Sequence, residues 1–362
     1  MKNKVVIAVI IAFFGLILFI FFAAEPTGNQ AFFEPVSVFE IEPMETQTEN
    51  KKLFPFVSAD FFGFFDAGGK VVFAKEQNNE FSLSDSIWTN YTFRSPYIGN
   101  ASSEVQAEKA TIFSSNGTEL FSVEAKGALH LSSDRVFVFL PSGNSVGEYN
   151  KAGKLLWTYS MPGIITAFAC NDEFTVIGSS DGYIVFLDKT GAEKFCFYPG
   201  GSKVEIIYSL AISRDGKRIA CLCGLDKQRL MLFEANDYHK TIFHAFLKEG
   251  LRKQANMFFD EDSKYLFSET AEGIAILNCK KLVLTQTNIQ GRLTNHRIKT
   301  SSDNFVLLTQ KTNKAYLTLF DSSARQLAQT NFNCTLSSMV QNENSFYLII
   351  DNKLLTFKLN RE

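Results

Sequence analysis

The apolar positions of this 362-residue chain form two kinds of pattern. Val5 to Phe22 is an uninterrupted apolar run of eighteen residues. From roughly Lys52 to Glu362 the apolar residues instead form short runs separated by Gly, Asn, Asp and Ser, without long stretches of 3.6-residue periodicity. Short apolar runs bounded by turn residues are typical of β-strands. The pattern therefore predicts an apolar N-terminal helix followed by an all-β domain.

The apolar run predicts a transmembrane helix, because eighteen helical residues are about 27 Å long and the hydrocarbon core of a bilayer is about 30 Å thick. Lys2 and Lys4 precede the run, and the next cation is Lys51, so the positive-inside rule places the N-terminus in the cytoplasm. A cleavable signal peptide is the alternative, but Phe21 and Phe22 stand where a cleavage site needs small residues. We expect a single-pass signal anchor in the cytoplasmic membrane, with the remaining chain in the periplasm.

The predicted organisation has three parts. Residues 1–24 form a cytoplasmic tip and the transmembrane helix, residues 25–52 an acidic tether, and residues 53–362 the β-domain. The tether carries six Glu and three Pro before its first cation, a composition typical of solvated linkers. Its one strand-like stretch is Val36 to Ile41 (VSVFEI).

The β-domain repeats itself with a period of about 41 residues. In each copy a strand ends in a large apolar residue, and a polar turn leads into a second strand. The apolar residues before these turns, which we call the anchors, are Phe73, Phe113, Tyr149, Leu187, Phe233, Leu277, Phe320 and Phe357. Four short strands per period of about 40–45 residues are the signature of a propeller blade. We expect a β-propeller of eight four-stranded blades, or seven if the segment from Ser95 to Lys109 is an insertion.

The last copy, from Cys334, supplies only three strands before Glu362. An open ring would leave unpaired strand edges, which β-proteins avoid. We therefore predict that Val36 to Ile41 pairs with Leu354 to Leu359 and closes the ring.

Two copies carry a resemblance to known propellers. DGYIVFLDKTGAEKF, from Asp181, resembles the repeat of PQQ-like quinoprotein propellers, and SRDGKRIA, from Ser213, resembles the turn of WD40-like and TolB-like blades. In plan the chain is similar to BamB-type outer-membrane assembly scaffolds, although the lipid anchor of those proteins is missing, since the first Cys is Cys170. The resemblance implies a propeller fold. Because a propeller presents loops from every blade and can bind a partner without any catalytic group, we expect a non-enzymatic protein-interaction scaffold, with a role in envelope assembly.

No motif for catalysis or cofactor binding accompanies the repeat, and we expect no catalytic, cofactor-binding or metal-binding residues. The Gly-x-Ser-x-Gly patterns around Ser145 and Ser180 precede apolar β-runs, whereas a nucleophile elbow leads into a helix. His239 and His244 are five residues apart, which in a regular strand places them on opposite faces. A formal net charge of −2 argues against nucleic acid as a partner.

The alternatives to a scaffold are a propeller enzyme, either a quinoprotein-like oxidoreductase or a hydrolase or lyase, and a small-ligand sensor. A quinoprotein implies a Cys-Cys pair, whereas this chain has Cys221-Leu-Cys223. The six Cys are predicted to be small buried hydrophobes, and a disulfide from Cys196 to Cys221 or Cys223 stays open as an alternative.

Two segments are candidates for contact with a protein partner. The first carries Trp88, Tyr91, Arg94 and Tyr97, residue types that interface hot spots use. The second, from Phe243 to Phe259, follows the longest repeat interval and offers Phe246, Leu251 and Arg252. The alternative interpretation of the first segment is a core strand between blades, and that of the second is a short amphipathic helix.

Overall fold

In a computed structural model of the protein, the described residues are 13–15, 31–40, 54–58, 61–65, 70–77, 80–88, 110–113, 119–124, 126–132, 135–236, 238–289, 291–294, 304–335, 337–342, 345–351 and 353–361. Residues 13–15 are helical, and the other regular elements of the described chain are β-strands. Among these residues no helix is long and apolar enough to cross a membrane. The remainder of the predicted span, residues 5–12 and 16–22, lies outside them.

Thirty strands follow one another through the described residues. The first fifteen are β1 (Ala31–Glu40), β2 (Phe54–Ser58), β3 (Phe61–Phe65), β4 (Lys70–Gln77), β5 (Glu80–Trp88), β6 (Ala110–Phe113), β7 (Glu119–Val123), β8 (Ala128–Ser132), β9 (Arg135–Phe139), β10 (Ser145–Tyr149), β11 (Leu155–Ser160), β12 (Ile165–Cys170), β13 (Phe174–Ser179), β14 (Ile184–Asp188) and β15 (Glu193–Phe197). The others are β16 (Ile207–Ile212), β17 (Arg218–Cys223), β18 (Arg229–Ala235), β19 (His239–Phe246), β20 (Met257–Phe259), β21 (Tyr265–Thr270), β22 (Gly273–Asn278), β23 (Val283–Gln286), β24 (Arg292–Leu293), β25 (Asn304–Lys311), β26 (Lys314–Asp321), β27 (Gln326–Asn333), β28 (Ser337–Asn342), β29 (Ser345–Ile350) and β30 (Lys353–Arg361).

The strands form antiparallel sheets in which each strand pairs with the next along the chain. Within the described residues, seven sheets have four strands and one, β6–β7, has two. Six of the four-stranded sheets are simple meanders, namely β2–β5, β8–β11, β12–β15, β16–β19, β20–β23 and β24–β27. The segment from Ser95 to Lys109, on which the choice between eight and seven blades depended, lies outside the described residues.

The remaining four-stranded sheet joins the two ends of the chain, in the order β1-β30-β29-β28. The predicted pairing of the N-terminal strand with the C-terminal strand is therefore confirmed. The observed strand is longer than predicted, because it begins at Ala31, which pairs with Arg361, and ends at Glu40, which pairs with Lys353. Strand β2 lies next to β28, so the first sheet adjoins the sheet that closes the chain.

The predicted anchors mark a structural feature that recurs in the sheets. In the described chain a β-bulge lies opposite seven of the eight anchors: between the third and fourth strands of five of the six meanders, in β6–β7, and in the pairing of β30 with β1. At Leu187, for example, the register passes from Phe186 opposite Phe195 to Leu187 opposite Glu193, which leaves Lys194 as the extra residue. The exception is Leu277, which pairs with Leu284 in a regular ladder. A bulge bends and twists the strand that carries it.

The core lies between consecutive sheets. One cluster joins β12–β15 to β16–β19 through side chains such as Phe186 and Phe233, and the next joins β16–β19 to β20–β23 through side chains such as Leu232 and Leu266. Similar clusters follow between the later sheets. The first strands β12, β16 and β20 are neighbours in space. The sheets therefore pack face to face with their first strands side by side, as the blades of a propeller do.

A buried ion pair links two neighbouring sheets. Arg135 on β9 donates from Nε to Glu148 Oε1 at 2.9 Å and from Nη2 to Glu148 Oε2 at 2.7 Å. Its Nη1 donates to the carbonyl oxygens of Asn171 and Phe174 in the next sheet. Because the guanidinium and the carboxylate are both buried and hydrogen-bonded, the pair meets the condition under which buried charges are tolerated.

The polar turns of the repeat owe their shape to an acidic or amide side chain and a residue of positive φ. The Oδ1 atom of Asp188 accepts hydrogen bonds from the amides of Thr190 and Ala192 and from the Thr190 hydroxyl. Gly191 in this turn has φ 81°, and a Cβ there would lie 2.5 Å from Cγ of Trp157. The D-x-x-G part of the repeat is therefore explained by turn geometry.

The structure decides two points about His and Cys residues that the sequence raised. The prediction that His239 and His244 lie on opposite faces of the strand is wrong. They pair with Ala235 and Met231, which are four residues apart and therefore lie on the same face of β18. The bulge at Ile242 inserts one residue and restores His244 to the same side. None of the six Cys, all of which lie in the described residues, forms a disulfide, so the structure contains no Cys196 disulfide.

Candidate functional site

The meander places the connections between strands at two ends of the sheets. One end, which we call the loop end, carries the connections from each fourth strand to the next sheet and the turns between second and third strands. The opposite end, which we call the turn end, carries the turn that joins the first strand to the second and the turn that joins the third strand to the fourth. In the described ranges 135–236 and 238–289, the two longest connections between strands are residues 198–206 and 247–256. Both lie at the loop end.

Three segments at the loop end are tied together, and we call them the platform: residues 198–206, 224–229 and 246–256. The buried side chain of Gln228 donates from Nε2 to the carbonyl oxygen of Leu251 at 2.9 Å and accepts from the Leu251 amide at 2.8 Å. The amide of Leu247 donates to the carbonyl oxygen of Gln228 at 2.9 Å. Leu251 also packs against the apolar cluster of β16–β19 and β20–β23. These contacts hold the 247–256 loop against the 224–229 turn.

The 198–206 loop is attached to the same turn by polar contacts. Asp226 accepts hydrogen bonds from the Ser202 hydroxyl and from the amide of Lys203, the latter at 2.9 Å. The Ser202 hydroxyl is the main reason why the pKa of Asp226 is lowered to about 2. The amide of Leu225 donates to the carbonyl oxygen of Val204 at 3.0 Å. The loop is thus held in place by an ionised carboxylate at neutral pH.

Arg229 connects the 198–206 loop to Phe246. Its Nη2 donates to the carbonyl oxygen of Pro199 at 3.0 Å and to that of Gly200. Its guanidinium carbon lies 5.5 Å from the centroid of the Phe246 ring, within the range of a cation–π contact. Phe246 is nevertheless 56% exposed, so Arg229 contacts it without covering it.

The platform exposes apolar side chains among cations. Tyr198 is 54% and Val204 45% exposed, and Ile164 of the adjoining 161–164 loop is exposed as well. The three platform segments contain six Lys or Arg and three Asp or Glu, although the whole chain has a net charge of −2. Lys248, Arg252 and Lys253 are exposed. Aromatic and Arg side chains are enriched in the hot spots of protein interfaces, and the positive charge of the platform is complementary to an acidic surface.

The structure brings together three of the seven candidate residues that the sequence suggested. Phe246 ends β19, Leu251 is half-buried in the 247–256 loop, and Arg252 is exposed there, so these three lie together on the platform. Trp88 ends β5 at the loop end of another sheet. Tyr91, Arg94 and Tyr97 lie outside the described residues.

The alternative of an amphipathic helix over 243–259 is wrong. Residues up to Phe246 continue β19, which pairs with β18 along its length, and β20 begins at Met257. The segment 247–256 between them is an irregular loop. The β-branched and aromatic residues before Leu247 favour a strand, and Gly250 disfavours a helix.

Sequence reasoning missed Tyr198, Val204 and the two supporting residues Gln228 and Arg229. The signal was present, because the longest anchor interval, from Leu187 to Phe233, contains the 198–206 loop with its Pro-Gly-Gly turn. What the sequence did not show is that this loop contacts the following one through the 224–229 turn.

Neither Gly-x-Ser-x-Gly serine has the setting of a nucleophile elbow. Ser145 is the first residue of β10, and its hydroxyl contacts that of Ser160 at 2.9 Å. Ser180 lies in the turn before β14. The described residues contain no group of three His, Cys, Asp or Glu able to hold a metal ion.

Comparison with known proteins decides the family. A family model described as beta-propeller protein matches residues 1–361. The chain belongs to this beta-propeller family. A Treponema pallidum (strain Nichols) protein that is itself uncharacterized is 30% identical over 348 residues, which are 93% of this chain and 89% of the relative.

Two solved structures resemble the chain in fold. The crystal structure of BamB from Moraxella catarrhalis matches with a TM-score of 0.59 and 14% identity, covering 90% of this chain and 100% of BamB. The computationally designed Ika8 protein matches with a TM-score of 0.60 and 12% identity, covering 87% of this chain and 98% of the design. The chain is therefore a beta-propeller repeat protein similar to BamB, and at these identities the likeness concerns the fold.

Proposed function

We propose that this beta-propeller is a membrane-anchored, periplasmic scaffold that binds a protein partner through the platform and acts without catalysis in envelope assembly. The observation that carries the proposal is the platform itself, where exposed Phe246, Tyr198 and Val204 stand among cations on loops fixed by Gln228 and Arg229. Pre-organised loops bind with less loss of conformational entropy than mobile ones. The partner we propose is a protein segment with apolar and acidic residues.

We further propose that the ring has eight blades. The bulge opposite the anchor recurs in β6–β7, which supports its assignment as the third and fourth strands of a second blade. The same bulge recurs at Val36, opposite Phe357, which supports β1 as the fourth strand of the last blade. On this assignment residues 53–362 and the strand from the tether form the propeller, and residues 1–24 the anchor.

The test is photo-crosslinking in native membranes. A photoreactive amino acid at Tyr198 or Phe246 should yield a protein cross-link, and the same residue at exposed Leu155, at the turn end, should not give that product. Arg252→Glu should weaken the product formed from Tyr198, whereas Lys189→Glu at the turn end should leave it unchanged. A cross-link that is insensitive to Arg252→Glu, or the absence of any protein product at the platform, would contradict the proposal.

A further inference from the structure

The N-terminal strand enters the ring at the turn end. Strand β30 is the third strand of its sheet, so it runs from the loop end at Lys353 to the turn end at Arg361. Ala31, the first residue of β1, pairs with Arg361, and Glu40 pairs with Lys353. Ala31 therefore lies at the turn end, and the chain that precedes it reaches the ring from that side.

The connection to the apolar run is short. Eight residues, 23–30, separate Phe22 from Ala31. Fully extended, they span at most about 28 Å. Many strands have five or six residues, so the two ends of such sheets are about 17–20 Å apart. Because the connection joins the ring at its turn end, we expect the turn end to lie nearer to the bilayer than the loop end.

The side chains of the turn end suit a lipid surface. The turns between third and fourth strands, together with the first residues of the fourth strands, place exposed apolar residues beside exposed cations. The pairs are Leu155 and Leu156 with Lys154, Tyr238 with Lys240, Leu282 and Val283 with Lys280 and Lys281, and Leu327 with Arg325. Tyr, Lys and Arg are enriched at membrane interfaces, where the apolar part enters the boundary and the charge reaches the head groups.

We infer that the turn end of the ring faces the membrane and rests on anionic lipid head groups through these turns, which directs the platform away from the bilayer. The inference rests on the proposed anchor formed by Val5 to Phe22. This orientation gives the two exposed apolar sets different roles: the turn-end residues contact lipid, and the platform residues are left for a protein partner. Each Lys or Arg near an anionic lipid surface adds to the attraction.

The experiment uses the full chain reconstituted into vesicles of phosphatidylcholine and phosphatidylglycerol that contain a nitroxide-labelled lipid head group. A fluorophore is attached through a genetically encoded azide at exposed Ser323, in the β26–β27 turn, or at exposed Lys248, on the platform. We expect the nitroxide to quench the fluorophore at Ser323 and not the one at Lys248. The double variant Lys280→Glu, Lys281→Glu should reduce quenching at Ser323, and Lys203→Glu on the platform should not.

The outcomes separate the inference from the anchor on which it rests. Vesicle flotation measures attachment, and failure of the chain to float would overturn both the anchor and the orientation. Flotation with quenching at Lys248 would overturn the orientation alone. Flotation without quenching at either position would overturn the lipid contact and leave the anchor in place.

Discussion

Removal of strand β1 should destabilise the ring more than its length alone implies. Deletion through Glu42 removes the strand, whereas deletion through Gln30 removes the predicted anchor and leaves the strand intact. In the structure Phe33 of β1 packs edge-on against Phe346 and Phe357, with ring centroids 6.1 and 6.2 Å apart. The deletion removes this contact and leaves β30 as an unpaired edge.

The magnitude follows from what the strand contributes. Its nine residue pairs with β30 gain hydrogen bonds of about 1 kcal/mol each, and releasing ten residues regains conformational entropy of similar size. The net loss therefore comes mainly from Phe33. A buried Phe costs about 3–5 kcal/mol on truncation to Ala, so half-buried Phe33 should cost about 2–3 kcal/mol. For roughly 310 folded residues, that is a fall in Tm of about 3–5 °C.

The assay is thermal unfolding followed by circular dichroism on the two truncated proteins and on two point variants. Phe33→Ala should lower Tm as estimated, and its neighbour Phe32, which is exposed, provides the matched control, since Phe32→Ala should leave Tm nearly unchanged. Equal melting temperatures for the two truncations, or equal effects of the two Phe variants, would refute closure of the ring by β1.

Three further predictions concern charged groups. Either Arg135→Met or Glu148→Gln should cost about 3–5 kcal/mol in chemical denaturation, and the double variant should cost less than the sum, because each single change strands a buried charge; additive losses would contradict this. Burial lowers the pKa of His239, so stability should fall as pH drops below about 6.5, and His239→Phe should flatten that part of the stability curve. Ser202→Ala should raise the pKa of Asp226 towards its usual value and increase amide hydrogen exchange in the 198–206 loop at pH 7. The stability that the protein loses between about pH 4 and pH 2 should then be smaller in the variant. Unchanged hydrogen exchange in the loop would refute the role of Ser202.

The fold was readable from the sequence because its repeat is local. Each anchor is followed by a polar turn whose geometry depends on a few neighbouring residues, such as Asp188 and Gly191. The anchors themselves recur about every 41 residues, so the period could be counted. The pairing of β1 with β30 was also predictable, since the last copy lacks a strand and only one stretch of the tether alternates like one.

The alternation of apolar and polar residues did not predict which face of a fourth strand each side chain occupies. A bulge shifts the register by one residue, and every side chain beyond it changes face relative to a regular strand. His244 is the clearest case, because a five-residue spacing from His239 predicts the opposite face and Ile242 reverses it. The bulge depends on pairing with the preceding strand, which residue alternation within the fourth strand does not reveal.

The platform could be predicted only in part for a related reason. Phe246, Leu251 and Arg252 attract attention because they are apolar and charged residues within one segment. Gln228 and Arg229 are single polar residues whose importance comes from carbonyl groups in two other loops. Contacts of this kind depend on the packing of neighbouring sheets, and a single sequence shows no trace of them.

The bulges also bear on how a partner binds. The fourth strand is the outer edge of each sheet, and an exposed regular edge would accept a strand from another protein. In the described residues these edges are interrupted by a bulge, except for β23, which is only four residues long. Both short strands and bulges disfavour strand addition. On the proposed function, a partner therefore contacts side chains on the connections between strands, and the platform offers it exposed apolar and cationic side chains on loops held by Gln228 and Arg229.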